Sequence, residues 1–175
     1  DTNFEFVIFG ISGLRDVVIN EFMYDPPIGL PEYVELKNRS GNFLNLMGWK
    51  IGDKSGLGDI ANDTLVFEPE ALLVVSPDTA ALINVFGPGN YFNIRSGNFP
   101  SLNNSGDAIR ILNSKGTLLD SLFYDDEWGG EDIALERRSE SAASDKKANW
   151  DDSPHGIGTP GLPNLIANDL DPPVF

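Results

Sequence analysis

A chain of 175 residues can form one domain with its own core, and a hydrophobic fraction of 41% is ordinary for a globular protein. Its 27 acidic residues against 12 basic ones leave a net charge of -15; that field repels phosphate backbones and anionic membrane surfaces, so no nucleic-acid partner is expected. Cysteine is absent, which excludes disulfides, thiolate zinc sites and cysteine nucleophiles, and no apolar run is long enough to be a transmembrane segment.

The N-terminus has neither an initiator Met nor the basic start and long apolar stretch of a signal peptide. The chain is therefore expected to be an excised or processed piece. Residues 4–9 form an apolar stretch ended by Gly10 and Ser12-Gly13. It reads as the last strand of a preceding domain or as an extra edge strand of this one. Residues 17–22 are a strong strand, ended by Tyr24-Asp25-Pro26-Pro27 because proline cannot donate to a ladder. Residues 33–38 alternate, with Val34 and Leu36 on one side and Tyr33, Glu35 and Lys37 on the other.

A turn at residues 38–42 leads to a third strand over 46–51, carrying Trp49. Residues 52–63 are rich in Gly, Asp and Asn and read as a loop. Short strands over 65–67 and 71–75 precede the single helix candidate, residues 78–86. Ser76 or Asp78 would cap it, Leu82, Val85 and Phe86 would form its buried stripe, and Gly87-Pro88-Gly89 would stop it. After the turn signal Asn103-Asn104-Ser105-Gly106, strands over 107–112 and 117–124 form a hairpin. A last short strand covers 133–137, residues 139–149 read as loop, and residues 169–175 read as a linker. About eight or nine short strands with one brief helix and no internal repeat predict an all-β sandwich.

The fragments Val18-Ile19-Asn20-Glu21-Phe22, Glu32-Tyr33-Val34-Glu35-Leu36-Lys37-Asn38 and Leu46-Met47-Gly48-Trp49-Lys50-Ile51-Gly52-Asp53 follow one another in a recognisable order. Leu102-Asn103-Asn104-Ser105-Gly106-Asp107 and Gly116-Thr117-Leu118-Leu119-Asp120-Ser121 continue it. The closing pieces are Ala134-Leu135-Glu136-Arg137, Asn149-Trp150 and Gly158-Thr159-Pro160-Gly161-Leu162-Pro163-Asn164. In this order they resemble the lamin tail domain in its bacterial form, over about residues 16–164. The resemblance implies an all-β, immunoglobulin-like β-sandwich with one short helix, and no catalytic residue. It also implies an accessory module of a larger bacterial protein, extracellular or on the cell surface. Its partners would be other domains of the parent protein and further proteins. On this reading residues 1–15 are an N-terminal extension or part of a preceding domain, and 165–175 link to a following one.

The remaining chemistry is carboxylate. Calcium takes hard oxygen ligands from loops, and Asp125, Asp126 and Glu127 are the first candidates. Asp151-Asp152 and the set Asp53, Asp59 and Asp63 come after them. None has the spacing of an EF-hand loop, so no cofactor is required and calcium is the one candidate. A calcium-dependent binding or adhesion module is the alternative function. A hydrolase using Glu21 and Glu35, on neighbouring strands, is the second alternative. Its competitor is a pair of edge or surface carboxylates, one bonded to Arg39 or Lys37. The single histidine, His155, lies beside Ser153 and Asp151 in a Pro-Gly turn too short for triad geometry. Tyr33, Tyr91 and Phe92 are candidates for a ligand face, although strand aromatics more often serve as core. Trp150 is expected to anchor the polar segment that precedes it.

Overall fold

The structure, a computed structural model, describes residues 7–95 and 97–167. The linker expected over 169–175, and residues 4–6 of the first strand candidate, lie outside the described residues. The strands are β1 (Val17–Met23), β2 (Tyr33–Asn38), β3 (Leu44–Asn45), β4 (Lys50–Gly52), β5 (Leu57–Asp59), β6 (Val66–Phe67), β7 (Leu72–Ser76), β8 (Tyr91–Asn93), β9 (Gly106–Leu112), β10 (Leu118–Asp125), β11 (Leu135–Arg137) and β12 (Trp150–Asp152). The helix α1 (Thr79–Phe86) joins β7 to β8.

Six strands form one sheet in the order β12-β11-β1-β2-β7-β8, and four form a second in the order β10-β9-β4-β5. Only β7 and β8 pair in parallel within them. Inward residues of both sheets, among them Phe22, Leu36 and Val75 of the first and Ile51, Ile111 and Leu122 of the second, make one apolar core. Trp49 is 3% exposed within it. The all-β sandwich expected from strand spacing is thus present, and β2 alternates as its sequence predicts: Val34 and Leu36 face the main core, while Tyr33 joins a second cluster with Met23, Val74 and Leu82.

Several expected elements change. The strand expected over 46–51 is divided, because Gly48 takes φ 72 and the Trp49 amide turns back to the Leu46 carbonyl at 3.0 Å. The chain thereby passes from the small β3-β6 pair into the four-stranded sheet, with both Leu46 and Trp49 buried. The loop expected over 52–63 contains β5, whose main chain pairs with β4 despite its glycines. In α1, Asp78 is the cap and accepts from the Ala81 amide at 3.1 Å. Of the expected stripe only Leu82 is buried; Val85 is 52% exposed, because a helix this short meets the sheet through one turn.

The two sheets are joined by buried polar groups. Arg137 of β11 and Asp120 of β10 form an ion pair at 3.1 Å, both almost fully buried. They also serve the main chain of β1, where the Ile19 amide donates to Asp120 at 2.9 Å and the Ile19 carbonyl accepts from Arg137 Nε at 2.6 Å. Trp150 packs edge-on to Phe22, lies under the Arg137 guanidinium, and donates its indole N–H to the Ser144 carbonyl at 2.9 Å. It anchors the polar segment before it, as expected. Near the N-terminus, Phe9 bridges Phe43 in parallel and the Arg15 amide donates to the Leu119 carbonyl at 2.7 Å.

Candidate functional site

The outer face of the six-stranded sheet carries a cluster of three buried carboxyl groups, Glu21, Glu35 and Glu136. β1 pairs with β11 and β2 so that Glu21 lies opposite Glu136 on one side and Glu35 on the other. The register of β1 against β2 shifts between Ile19 and Glu21. Such a bulge sets two residues against one, and both Asn20 and Glu21 reach the outer face, while Ile19 and Phe22 remain in the core. The three glutamates have no exposed surface. Among the described residues none of them pairs with Lys or Arg. Lys37, further along β2, pairs with Glu70 at 3.4 Å.

The cover is the chain's own segment 156–166. The Thr159 amide donates to Glu21 Oε1 at 3.0 Å and the Gly161 amide to Glu35 Oε2 at 2.6 Å. The Leu165 and Ile166 amides donate to Glu136 Oε2 at 2.7 and 3.2 Å. Ser153 Oγ adds a bond to Glu136 Oε1 at 2.6 Å, and Asn20 Nδ2 one to Glu35 Oε1 at 2.7 Å. Asn164 and Asn20 join at 2.8 Å through their side chains, and Asn164 Nδ2 also reaches the Asn20 and Arg137 carbonyls, each at 2.9 Å. Buried carboxylates are costly unless hydrogen-bonded, and here main-chain donors meet that need. Gly158, at φ 98, passes so close that a Cβ would strike Tyr33 Oη and Glu21 Oε1.

Burial is the main electrostatic influence. It holds Glu21 well above the ordinary carboxylate range; the neighbouring Glu35 charge adds to the rise, and the Tyr33 hydrogen bond opposes it. Burial also raises Glu35 to about 7 against the lowering effect of its bonds from Asn20 and Gly161. Tyr33 is pushed well above the usual phenol range by burial and by Glu21. Beside the segment, a cavity of about 360 Å³ is lined by Phe86, Tyr91, His155, Ile157, Pro160 and Leu162 among others.

The sequence placed Glu21 and Glu35 on neighbouring strands, and the structure sets them in register. It corrects their reading as edge or surface carboxylates bonded to Arg39 or Lys37. The bulge and the overlying segment bury both, and their partners are Tyr33, Asn20, Thr159 and Gly161. As a hydrolytic pair they lack access for a substrate in this arrangement. Tyr33 is buried and bonded to Glu21, so it offers no ligand face; Tyr91 and Phe92 are half-buried. Glu136, Thr159 and Asn164, recognised only as motif fragments, complete the cluster. For Thr159 and Asn164 the further signal is the absence of charged residues over 156–166; Glu136 has none beyond its motif fragment.

The other candidates stay apart. Asp125, at the end of β10, accepts from the Glu127 amide at 3.0 Å, while Asp126 and Glu127 are exposed in the following turn. Asp151 bonds Arg138, Asp59 pairs with Lys50 at 2.5 Å, and Asp53 caps its own turn through Ser55 and Gly56. Among the described residues, no three His, Cys, Asp or Glu side chains are grouped so as to hold a metal ion. Ser153 bonds Glu136 and His155 is exposed, so these two do not form the hydroxyl–imidazole bond of a triad.

In comparison with known proteins, the model of the Lamin Tail Domain family matches residues 12–126. The match takes in Glu21, Tyr33 and Glu35 and stops before Glu136 and the covering segment. No curated protein matches the chain.

Proposed function

The chain belongs to the lamin tail domain family, an immunoglobulin-like and generally non-catalytic family, and from that premise we propose that it is a structural and interaction module of a larger bacterial secreted or cell-surface protein. One observation carries the non-catalytic part. The buried glutamates of the outer face, Glu21, Glu35 and Glu136, are spent on main-chain donors of the chain itself. A catalytic carboxylate must reach a substrate; these hold a segment in place. The acidic surface, with a net charge of -15, supports a protein kept soluble among other chains.

Cross-linking on intact source cells with a reagent that does not cross membranes tests both parts of the proposal. Lys54 and Lys146, whose side chains are 58% and 69% exposed, are expected to link to neighbouring domains or to a second protein. Links found only within this chain would remove the interaction role. Labelling that requires cell lysis would remove the surface location.

A further inference from the structure

We propose that the segment 156–166 is a proton-dependent latch: Glu21 is held as a neutral carboxylic acid, its proton supplies one of the two hydroxyl hydrogen bonds otherwise missing beneath the segment, and loss of that proton frees the segment from the sheet. The reason lies in a count of hydroxyl protons. Tyr33 Oη is bonded to Glu21 Oε1 and is also 3.0 Å from the Ile157 carbonyl oxygen. Thr159 Oγ1 is 3.2 Å from Glu21 Oε2 and 3.2 Å from Glu136 Oε1. Each hydroxyl has a single proton to give. With Glu21 ionised, each of these hydroxyls faces two acceptors and can satisfy one.

A proton on Glu21 Oε2 changes the chain of donors. Glu21 then donates to Thr159, and Thr159 donates to Glu136. A proton on Oε1 does the same through Tyr33, which then donates to Ile157. Either way the added proton falls at a joint between sheet and segment, since Ile157 and Thr159 belong to the segment.

The surroundings give an ionised Glu21 no cation. Glu136 faces it from β11, and Glu35 and Tyr33 face it from β2. Tyr91 of β8 feels the charges of both Glu35 and Glu21. Lys37 of β2 acts on Glu35 and is itself paired with Glu70. Neither α1 nor the segment 156–166 contains a charged residue, and His155 stands exposed just before the segment. Three carboxylates on adjacent strands without a counter-ion cannot all ionise cheaply. Burial, followed by the charge of Glu35, holds Glu21 well above the usual carboxylate range, so its protonated form persists where an exposed glutamate has lost its proton. A raised value in the closed state means that the closed state binds the extra proton, so closure is favoured at low pH and weakened as pH rises.

The test uses the full chain. The side-chain carboxyl carbon of Glu21 is followed by NMR against pH, together with hydrogen-exchange protection of the Thr159, Gly161 and Leu165 amides. Glu21 is expected to be neutral at about pH 5, where exposed glutamates are ionised. Protection of the three amides should fall by about tenfold per pH unit from the ordinary carboxylate value of about 4.5 up to the Glu21 transition and level off above it, while the Ile111 amide in the opposite sheet keeps its protection. Glu21→Gln replaces the acid O–H by an amide N–H and should move or flatten the step; His155→Asn should leave it in place. A Glu21 carboxyl that is ionised across the whole range overturns the proposal on the unmodified protein, whether or not the variants fold. So does segment protection that does not vary with pH, or a folded Glu21→Gln protein with an unchanged step.

Discussion

The two faces of the six-stranded sheet are closed by opposite chemistries. Toward the four-stranded sheet, Phe22, Val34, Leu36 and Val75 meet apolar partners, and Phe22 touches the rings of Tyr24, Tyr124 and Trp150. On the other face, Glu21, Glu35 and Glu136 meet the amides of an uncharged segment. Apolar burial is non-directional and does not titrate. A carboxylate-to-amide closure depends on direction, on close main-chain approach and on protons. The same strands thus present one seal that tolerates changes of pH and one that answers to them.

The largest expected break is on the apolar side. Phe22→Ala should lose about 3–5 kcal/mol, since it removes a fully buried ring between aromatic neighbours. Urea unfolding at two pH values would show the whole stability curve lowered with its pH dependence kept. Gly158→Ala attacks the other face through the backbone: it forces a Cβ at φ 98 into Tyr33 and Glu21. A loss of about 2–3 kcal/mol is expected, with hydrogen exchange rising first at Thr159 and Gly161 and the inner strands still protected.

The pH dependence itself separates the faces without a mutation. Glu35 is raised to about 7, and Glu32, partly buried, is also raised to about 7 by burial. A raised carboxyl contributes stability that is complete below its unfolded value, about 4.5, and is lost as pH rises through its folded value. The melting temperature should therefore fall from about pH 5 to pH 8, and Glu35→Gln should flatten that fall. Flat melting across this interval would show that the outer carboxylates are not linked to folding.

The smallest effect belongs to the exposed turn after β10. Asp126→Asn and Glu127→Gln should each change stability by less than about 0.5 kcal/mol. Millimolar calcium, compared with magnesium at matched ionic strength, should leave the melt unchanged, because among the described residues Asp125, Asp126 and Glu127 are not grouped so as to hold a metal ion. A calcium-specific rise in melting temperature would restore the calcium-dependent module as the better reading.

Much of the apolar seal was readable in the sequence, because it is written in local periods. The alternation of residues 33–38, the hairpin around Gly116 and the cap at Asp78 need only nearest neighbours, and the resemblance to lamin tail domains supplied the order of the pieces. The divided strand at Gly48 and the pairing of β5 were less readable, since a left-handed turn and a glycine-rich strand both look like loop. The outer seal was the least readable. A glutamate at an outward strand position looks the same whether water or protein lies above it, so Glu21 and Glu35 read as surface carboxylates or a hydrolytic pair.

By itself, then, the sequence determined the longer strands, such as β1, β2, β7, β9 and β10, together with the sandwich class and the family, because these follow from short-range pattern and motif order; the short strands β3, β5, β8 and β12 were not read from it. Only the tertiary structure decided that the bulge at Asn20, the register of β11 and β2 against β1, and the return of residues 156–166 bring three carboxylates together under cover. Several of those pairings join residues more than a hundred positions apart, such as Glu21 with Thr159 and Gly161 with Glu35. Their energy arises when the segment shuts out water and supplies its amides, a circumstance that no local window of sequence contains.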